Sequence, residues 1–160
     1  MATEKLKFRL ELHATMWNKP PHAEILINDH MCYKGDITGS EDNPDVIEFE
    51  HEATEGEKYN LIIKRSGKGK YETILNDKGD ILKDQLLNIK SIEIDEIDIG
   101  GLVYEGVYTP QYAEPWATQQ KEAGINLQES YKNVTRMGHN GTWTFSFESP
   151  FYMWLLENLY

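Results

Sequence analysis

The sequence predicts an all-β fold, an antiparallel jelly-roll-like β-sandwich of about eight strands with a short C-terminal helix. Apolar and polar residues alternate along several short segments, which is the pattern of strands that bury one face. Turn residues separate these segments every ~8–12 residues, a spacing typical of sandwich proteins. No long helical pattern alternates with the strands, which disfavours a parallel α/β sheet.

The first strands show the alternation most clearly. The strand predicted over residues 5–13 places four apolar side chains on one face: Leu6, Phe8, Leu10 and Leu12. Residues 23–28 and 31–37 predict a hairpin around a turn at Asp29 and His30. Two more strands are predicted over residues 46–52 and 58–65.

The segment from residue 89 to residue 108 changes its phase halfway. Ile92 and Ile94 alternate in one phase, and Ile97 and Ile99 alternate in the other. An even strand cannot move its apolar face to the other side, so a bulge or bend near Asp95 is predicted unless both faces are covered. A turn at residues 100–101 and an extended segment over residues 102–108 are predicted to follow.

The last part of the chain, residues 138–160, holds two of the four Trp and three of the five Phe. Residues 142–148 alternate as a strand, and Ser149 and Pro150 suit a helix start, with Ser149 as the cap. The helix carries large apolar residues at helical spacing: Phe151, Trp154, Leu155 and Leu159. Either the protein's own sandwich or a neighbouring subunit is expected to cover this aromatic surface.

The length predicts a single domain over residues 1–160, long enough for a substantial core. Its core is predicted over residues 5–108 together with a strand at 141–148. An excursion at 109–137 carries one short helix within 116–128, and an aromatic tail follows at 149–160. Long connections of this kind often carry contacts or function.

The composition excludes several classes of partner. The net charge of −11, from 16 basic and 27 acidic residues, argues against binding nucleic acid, which needs cationic side chains. The single cysteine, Cys32, forms no internal disulfide and no metal cluster. The N-terminus has no signal core, and no stretch approaches ~18 apolar residues, so no membrane partner and no secretion by the usual route are predicted.

No catalytic pattern is present, and the protein is predicted not to be an enzyme. The sequence contains no G-x-S-x-G elbow, and the turn at residues 66–70 lacks the spacing of a phosphate loop. Carboxylates such as Glu93 and Asp95 share a face, but a solvated face explains them better than a hydrolase pair. The histidines are scattered and predict no zinc site.

The pattern requires no cofactor, and calcium is the metal ion that its loops suit best. Calcium takes carboxylate and carbonyl oxygens from loops. The candidate ligands are five aspartates: Asp77, Asp80, Asp84, Asp95 and Asp98. Around Asp77 and Asp80, a solvated turn is the competing interpretation.

Three aromatic residues fall in predicted loops: Trp17, Tyr112 and Trp116. Aromatic rings on loops can stack on sugar rings, as in carbohydrate-binding modules. The alternative is that these rings plug the open ends of the sandwich or contact another subunit.

Several segments together resemble a known group of proteins. They are AEILIND with YKGDI, IEFEHEATEGEKYNLIIKR, SIEIDEIDIGGL, VYTPQYAEPW and NGTWTFSFESPFYMWLLENL. These segments resemble small β-sandwich proteins encoded among the structural genes of large contractile-tailed phages, particularly phages of cyanobacteria. The resemblance covers residues ~23–160, and the aromatic C-terminus belongs to this phage group.

The layout is also similar to calcium-dependent xylan-binding modules, in which a glycine-led strand precedes a strand that ends in aspartates beside the sugar site. Four residues here correspond to the first strand: Gly56, Tyr59, Leu61 and Ile63. Four correspond to the second: Ile94, Asp95, Ile97 and Asp98.

The resemblance implies a virion component without catalysis, made in the host cytoplasm, such as a decoration, neck or tail-associated protein. Its partners would be other virion proteins or copies of itself. The expected contact residues are Trp116, Phe151, Tyr152, Trp154, Leu155 and Tyr160. The alternative is a calcium-dependent carbohydrate-binding module that holds a host or surface glycan.

Overall fold

The computed structural model describes residues 2–68, 73–78 and 80–159. The first six strands are β1 (Thr3–Thr15), β2 (His22–Ile27), β3 (His30–Asp36), β4 (Asp45–Thr54), β5 (Lys58–Ser66) and β6 (Ile74–Leu75). The others are β7 (Ile81–Lys83), β8 (Leu86–Ile94), β9 (Ile97–Asp98), β10 (Val107–Pro110), β11 (Arg136–Met137) and β12 (Gly141–Glu148). The helices are a 3₁₀ helix (Gly100–Glu105), α1 (Trp116–Glu122) and α2 (Phe151–Leu159).

Within the described ranges, the strands form two five-stranded sheets and one two-stranded hairpin, all antiparallel. The first sheet has the order β11–β8–β1–β4, with β9 also beside β8. The second has the order β10–β12–β5–β2–β3, and β6 pairs with β7. The predicted all-β sandwich is therefore confirmed. No helix in the described part of the chain is both long and apolar enough to cross a membrane.

The core lies between the two sheets, where the alternating strands predicted from the sequence place their apolar faces. On β1 the buried residues are Leu6, Phe8, Leu10 and Leu12. Phe8 stacks on Phe49 of β4 at 5.0 Å between ring centroids and reaches Phe147 of β12 at 6.0 Å. One strand residue thus packs within its own sheet and against the opposite sheet.

The predicted bend near Asp95 is a reversal of the chain. Asp95 and Glu96 have positive φ angles of 54° and 66° and form a two-residue turn between β8 and β9. Ile94 pairs with Ile97 across this turn. The apolar phase changes because the chain turns back on itself, as two-residue hairpin loops with positive φ allow.

The prediction of an extended segment over residues 102–108 is wrong. A 3₁₀ helix occupies Gly100–Glu105, and strand β10 begins only at Val107. Its turns close locally, as in the bond from the N–H of Leu102 to the carbonyl of Ile99. At Gly106 the chain passes so close to Trp143 that a Cβ atom would lie 2.3 Å from its ring. This contact is tertiary and leaves no periodic trace in the sequence.

Helix α2 packs back onto the protein's own core. Phe151 and Leu155 are buried, and Trp154 packs edge-on against Phe145 at 5.7 Å between ring centroids. The expectation that Ser149 caps this helix is wrong. The N–H of Phe151 donates to the carboxylate of Glu4 at 2.9 Å, and the hydroxyl of Ser149 donates to the same carboxylate. The acceptor therefore comes from β1, at the far end of the sequence.

We expect Leu155→Ala to lower the free energy of unfolding by ~2–5 kcal/mol, because it opens a cavity beneath α2. The matched control is Leu156→Ala, since Leu156 is 39% exposed and Leu155 only 3%. The control should stay within ~0.5 kcal/mol of the parent chain. Urea unfolding of the three proteins measures both changes. If the two variants lose the same free energy of unfolding, Leu155 does not pack against the core as the structure shows.

Candidate functional site

Several connections of the chain meet at one end of the sandwich. The antiparallel register pairs Thr15 with Leu86, His22 with Ser66, and Pro110 with Gly141. The segments that follow β1, β5 and β10 therefore lie at the same end as those that precede β2, β8 and β12. We call this the loop end.

Three rings come together at the loop end and form what we call the ring cluster: Tyr112, Trp116 and His139. The ring centroids are 5.9 Å apart for Tyr112 and Trp116, 5.0 Å for Tyr112 and His139, and 5.2 Å for Trp116 and His139. All three side chains are half-buried. The cluster therefore combines mutual support with ring surface that faces solvent.

Hydrogen bonds position the tyrosine of the ring cluster and the helix that carries its tryptophan. The hydroxyl of Tyr112 lies 2.8 Å from the hydroxyl of Tyr131 and 2.7 Å from the carbonyl of Gln128. Trp116 is the first residue of α1, and the carboxylate of Glu114 accepts a bond of 2.6 Å from the hydroxyl of Thr118 in the first turn of this helix. Polar contacts thus hold the Tyr112 ring and the start of α1, within a connection that is predicted from the sequence as an excursion.

The third ring, His139, is held through its backbone by a buried tyrosine. The hydroxyl of Tyr108 donates to the carbonyl of His139 at 2.5 Å and accepts its N–H at 2.9 Å. Burial raises the pKa of Tyr108 to about 12. Burial and the nearby cations Lys68 and Arg65 lower the pKa of His139, which keeps its imidazole neutral at neutral pH.

A buried arginine lies behind the ring cluster. Arg65 shares the inward phase of β5 with Tyr59, Leu61 and Ile63, and it is 2% exposed. Its guanidinium donates to the side-chain oxygen of Asn140 at 2.8 Å and to the carbonyl of Gln85 at 2.6 Å. It therefore ties the connection before β12 to the connection before β8.

A second cation, Lys68, lies next to this arginine. Its ammonium donates to Asp84 and to the carbonyl of Gly138, both at 2.5 Å. The same oxygen of Asp84 also accepts the hydroxyl of Thr73 at 2.7 Å and the N–H of Gln85 at 2.8 Å. Burial alone would raise the pKa of Asp84, but the bonds from Lys68 and Thr73 outweigh it and hold this pKa below its usual value.

A shallow groove of about 360 Å³ crosses the outer face of the second sheet. The register aligns one residue from each of four strands across its floor: Glu24, Lys64, Thr142 and Thr109. The groove also includes Gln111 and Gly141, which are the chain neighbours of Tyr112 and Asn140. Charged, hydroxyl and amide groups thus line a groove whose residues Gln111 and Gly141 are one and two positions from the ring cluster in the chain.

The structure brings together two of the three aromatic residues that were predicted from the sequence to bind sugar. Tyr112 and Trp116 belong to the ring cluster. Trp17 has the ammonium of Lys83 4.5 Å above its ring. In the parts of the chain that the structure describes, no ring contact joins Trp17 to the ring cluster. Sugar binding by these residues stays a prediction.

Four of the five aspartates predicted as calcium ligands divide into two pairs. Asp77 and Asp80 flank the turn between β6 and β7, whereas Asp95 follows β8 and Asp98 lies in β9, which pairs with β8. Asp95 accepts the N–H of Lys7 at 3.0 Å, and Asp98 accepts the N–H of Gly100 at 2.8 Å. Among the described residues, no group of three or more His, Cys, Asp or Glu side chains is arranged so that it could hold a metal ion. These residues therefore do not fit one shared calcium site, and their role as ligands stays a prediction.

The residues predicted for protein contacts lie in different parts of the structure. Phe151 and Leu155 are buried in the core, Trp154 is half-buried, and Tyr152 is 58% exposed. Trp116 lies in the ring cluster, at the opposite end of β12 from α2, and Tyr160 lies outside the described residues.

Sequence reasoning missed three residues of the loop end: His139, Arg65 and Lys68. One of them carries a visible signal, because Arg65 occupies the apolar phase of β5, where a charged residue needs a buried partner. His139 and Lys68 are adjacent to Asn140 and Gly67 in turn-like segments and carry no comparable signal.

Comparison with known proteins identifies the fold. No protein-family model and no curated protein matches this sequence. The fold is similar to the selenomethionine form of vCBM60, described with a circular permutation that links two families of calcium-dependent carbohydrate-binding modules. The TM-score is 0.50 at 8% identity, over 88% of this chain and 89% of that chain. A complex of vCBM60 with galactobiose gives a TM-score of 0.49 at 9% identity, over 87% of this chain and 96% of that chain.

At 8% identity the comparison shows that the fold is a carbohydrate-binding-module-like β-sandwich, and it does not identify a ligand. The part of the resemblance that concerns such modules is thus confirmed at the level of the fold. The relation to phage proteins stays a prediction.

Because Tyr108 has a pKa of about 12 in the folded chain against 10 ordinarily, the unfolded chain loses this proton first as the pH rises. We expect its contribution to stability to be full below pH 10 and to fall between pH 10 and 12 by about 1.4 kcal/mol per pH unit. The advantage of the parent chain over Tyr108→Phe should therefore shrink between urea unfolding at pH 9 and at pH 11. An unchanged advantage would contradict the burial of this hydroxyl. The exposed Tyr104→Phe serves as the control substitution.

Proposed function

We propose that this chain is a non-catalytic glycan-binding module whose ring cluster stacks on a sugar ring. The observation that carries the proposal is the meeting of Tyr112, Trp116 and His139 within 5.0–5.9 Å at the loop end. Residues 27 positions apart in sequence supply these rings, so their convergence is a product of the fold. Half-exposed rings offer an apolar face for the C–H groups of a sugar.

Sugar binding also needs polar groups, and we assign this role to the groove, whose residue Gln111 precedes Tyr112 in the chain. A binding site typically combines apolar surface with a small number of placed polar groups in a concavity of ~300–1,000 Å³. The groove has about 360 Å³ and presents the side chains of Glu24, Lys64, Thr109, Gln111 and Thr142. Carboxylate, ammonium, hydroxyl and amide groups of this kind exchange hydrogen bonds with sugar hydroxyls.

The charge of the ring cluster suits a neutral ligand. The lowered pKa of His139 leaves the ring uncharged at neutral pH, and Lys68 and Asp84 neutralise each other behind it. Similarity of the fold to vCBM60 is compatible with this role, since that protein is described among carbohydrate-binding modules. We therefore assign the site to a neutral polysaccharide and assign no reaction to it.

Affinity electrophoresis in gels that contain xylan, galactan or β-glucan tests the proposal. We expect retardation of the parent chain by at least one of these polysaccharides and a loss of ~10–100-fold in affinity for Trp116→Ala. This loss corresponds to removing an indole face whose burial contributes ~1.5–3 kcal/mol. The matched control is Trp17→Ala, an exposed tryptophan beside Lys83 outside the ring cluster.

Migration unaffected by every polysaccharide would refute glycan binding. If Trp116→Ala and Trp17→Ala lose the same amount of affinity for the polysaccharide, the ring cluster is not the binding site.

A second candidate function, attachment to other proteins, is favoured by the outer face of α2. Four apolar side chains lie exposed there: Tyr152, Met153, Leu156 and Leu159. Contiguous apolar surface of this kind commonly marks a protein contact. This is the surface through which a virion component of the kind implied by the resemblance would dock.

Light scattering coupled to size-exclusion chromatography tests this second function. If α2 mediates self-association, the parent chain should elute as an oligomer, and Leu156→Lys should convert it to a monomer that keeps the circular-dichroism spectrum of the parent chain. Lys58→Ala, an exposed change on β5, is the control. A parent chain that is monomeric at all accessible concentrations would count against self-association through α2.

A further inference from the structure

The ion pair of Lys68 with Asp84 is more enclosed than its place in a turn suggests. Their side chains are only 12% and 17% exposed, and the ammonium lies 2.5 Å from the carboxylate oxygen. Burying two charges is unfavourable unless each is paired with the other. The loops that carry Lys68 and Asp84 must therefore be arranged so that the two side chains stay in contact.

The oxygens near this ammonium belong to the classes that a calcium ion selects. Asp84 supplies a carboxylate and Gly138 a backbone carbonyl, both bound to the ammonium, and the hydroxyl of Thr73 binds the same carboxylate. Carboxylate and carbonyl oxygens from loops are typical calcium ligands. Here the positive charge at their centre is a side chain of the protein itself.

The position of this ammonium is fixed by the backbone that carries it. Asn140 accepts the N–H of Lys68 at 3.0 Å and donates to the carbonyl of Lys68 at 2.9 Å. Arg65 donates to the same oxygen of Asn140. Lys68 is therefore held at its backbone and at its ammonium by one short segment, residues 138–140.

That segment carries a ring of the proposed glycan site. His139 lies between two residues that bind Lys68. The carbonyl of Gly138 accepts a hydrogen bond from the ammonium of Lys68, and the side chain of Asn140 accepts one from its backbone N–H. The cation thus links the connection after β5, the connection before β8 and the residue that supports Tyr112 and Trp116.

We propose that Lys68 is a tethered cation in a calcium-like oxygen site, so that the loop end assembles without a divalent metal. This deepens the proposed function, because it makes glycan binding at the ring cluster independent of calcium. The cation site itself can be examined without any glycan.

The probe is calcium alone, added to protein that has been treated with EDTA. We expect the unfolding temperature of the parent chain to be the same in EDTA and in calcium up to ~1 mM, the range of weak natural calcium modules. Calorimetric titration should detect no calcium binding that stabilises the fold. A calcium-dependent rise in the unfolding temperature of the parent chain would overturn the proposal.

Lys68→Ala tests whether the oxygens form a cation site. We expect this variant to unfold at a lower temperature in EDTA, because Asp84 is left without its counter-charge, and to regain part of the loss in calcium but not in sodium chloride of equal ionic strength. Lys68→Ala combined with Asp84→Asn should lose the response to calcium. Lys58→Ala, which changes an exposed lysine of the preceding strand β5, is the control and should unfold like the parent chain.

A Lys68→Ala variant as stable as the parent, or equally destabilised with and without calcium, would overturn the cation site. If Lys68→Ala does not fold, Lys68→Gln takes its place in the same titration, since it keeps part of the stem and removes the charge. All these readouts are free of glycan, so they decide the cation site separately from sugar binding by the ring cluster.

Discussion

The three aromatic side chains of β12 are buried between the two sheets and fix the position of this strand. Trp143, Phe145 and Phe147 point into the space between the sheets and stack along the strand at 6.2 and 6.4 Å between ring centroids. Phe147 continues the contact to Phe8 of the opposite sheet and to Tyr59. Because dense packing on both sides fixes this strand, the segments at its two ends start from defined positions.

The two ends of β12 then serve different purposes. At the end that enters the strand, His139 and Asn140 join the ring cluster and the buried polar network. At the end that leaves it, α2 turns back onto the core through Phe151 and Leu155 and is fastened by Glu4. A single core strand thereby positions a half-exposed aromatic site at one end and an apolar helical surface at the other.

A network of charge-assisted hydrogen bonds holds the connections of the loop end. Burying Arg65 and most of Lys68 is unfavourable unless each meets an acceptor, and the acceptors lie on separate connections. Asn140, Gln85, Asp84 and Gly138 supply them. The requirement for compensation brings these connections together, in a protein whose one cysteine forms no disulfide. The ring cluster rests on this scaffold, which explains how half-exposed rings keep a defined arrangement.

Alternation and helical spacing are properties of neighbouring residues, so the class of fold, the main strands and the helical C-terminus could be predicted from the sequence alone. The sequence also predicted Tyr112 and Trp116 as candidate sugar-binding residues. Three contacts became visible only in the folded chain: His139 completes the ring cluster, Glu4 accepts the N–H at the start of α2, and Lys68 binds Asp84 and Gly138. These contacts join residues 16 to 147 positions apart. Periodicity shows which face of a strand is buried, whereas only the assembled sheets determine which distant side chains meet.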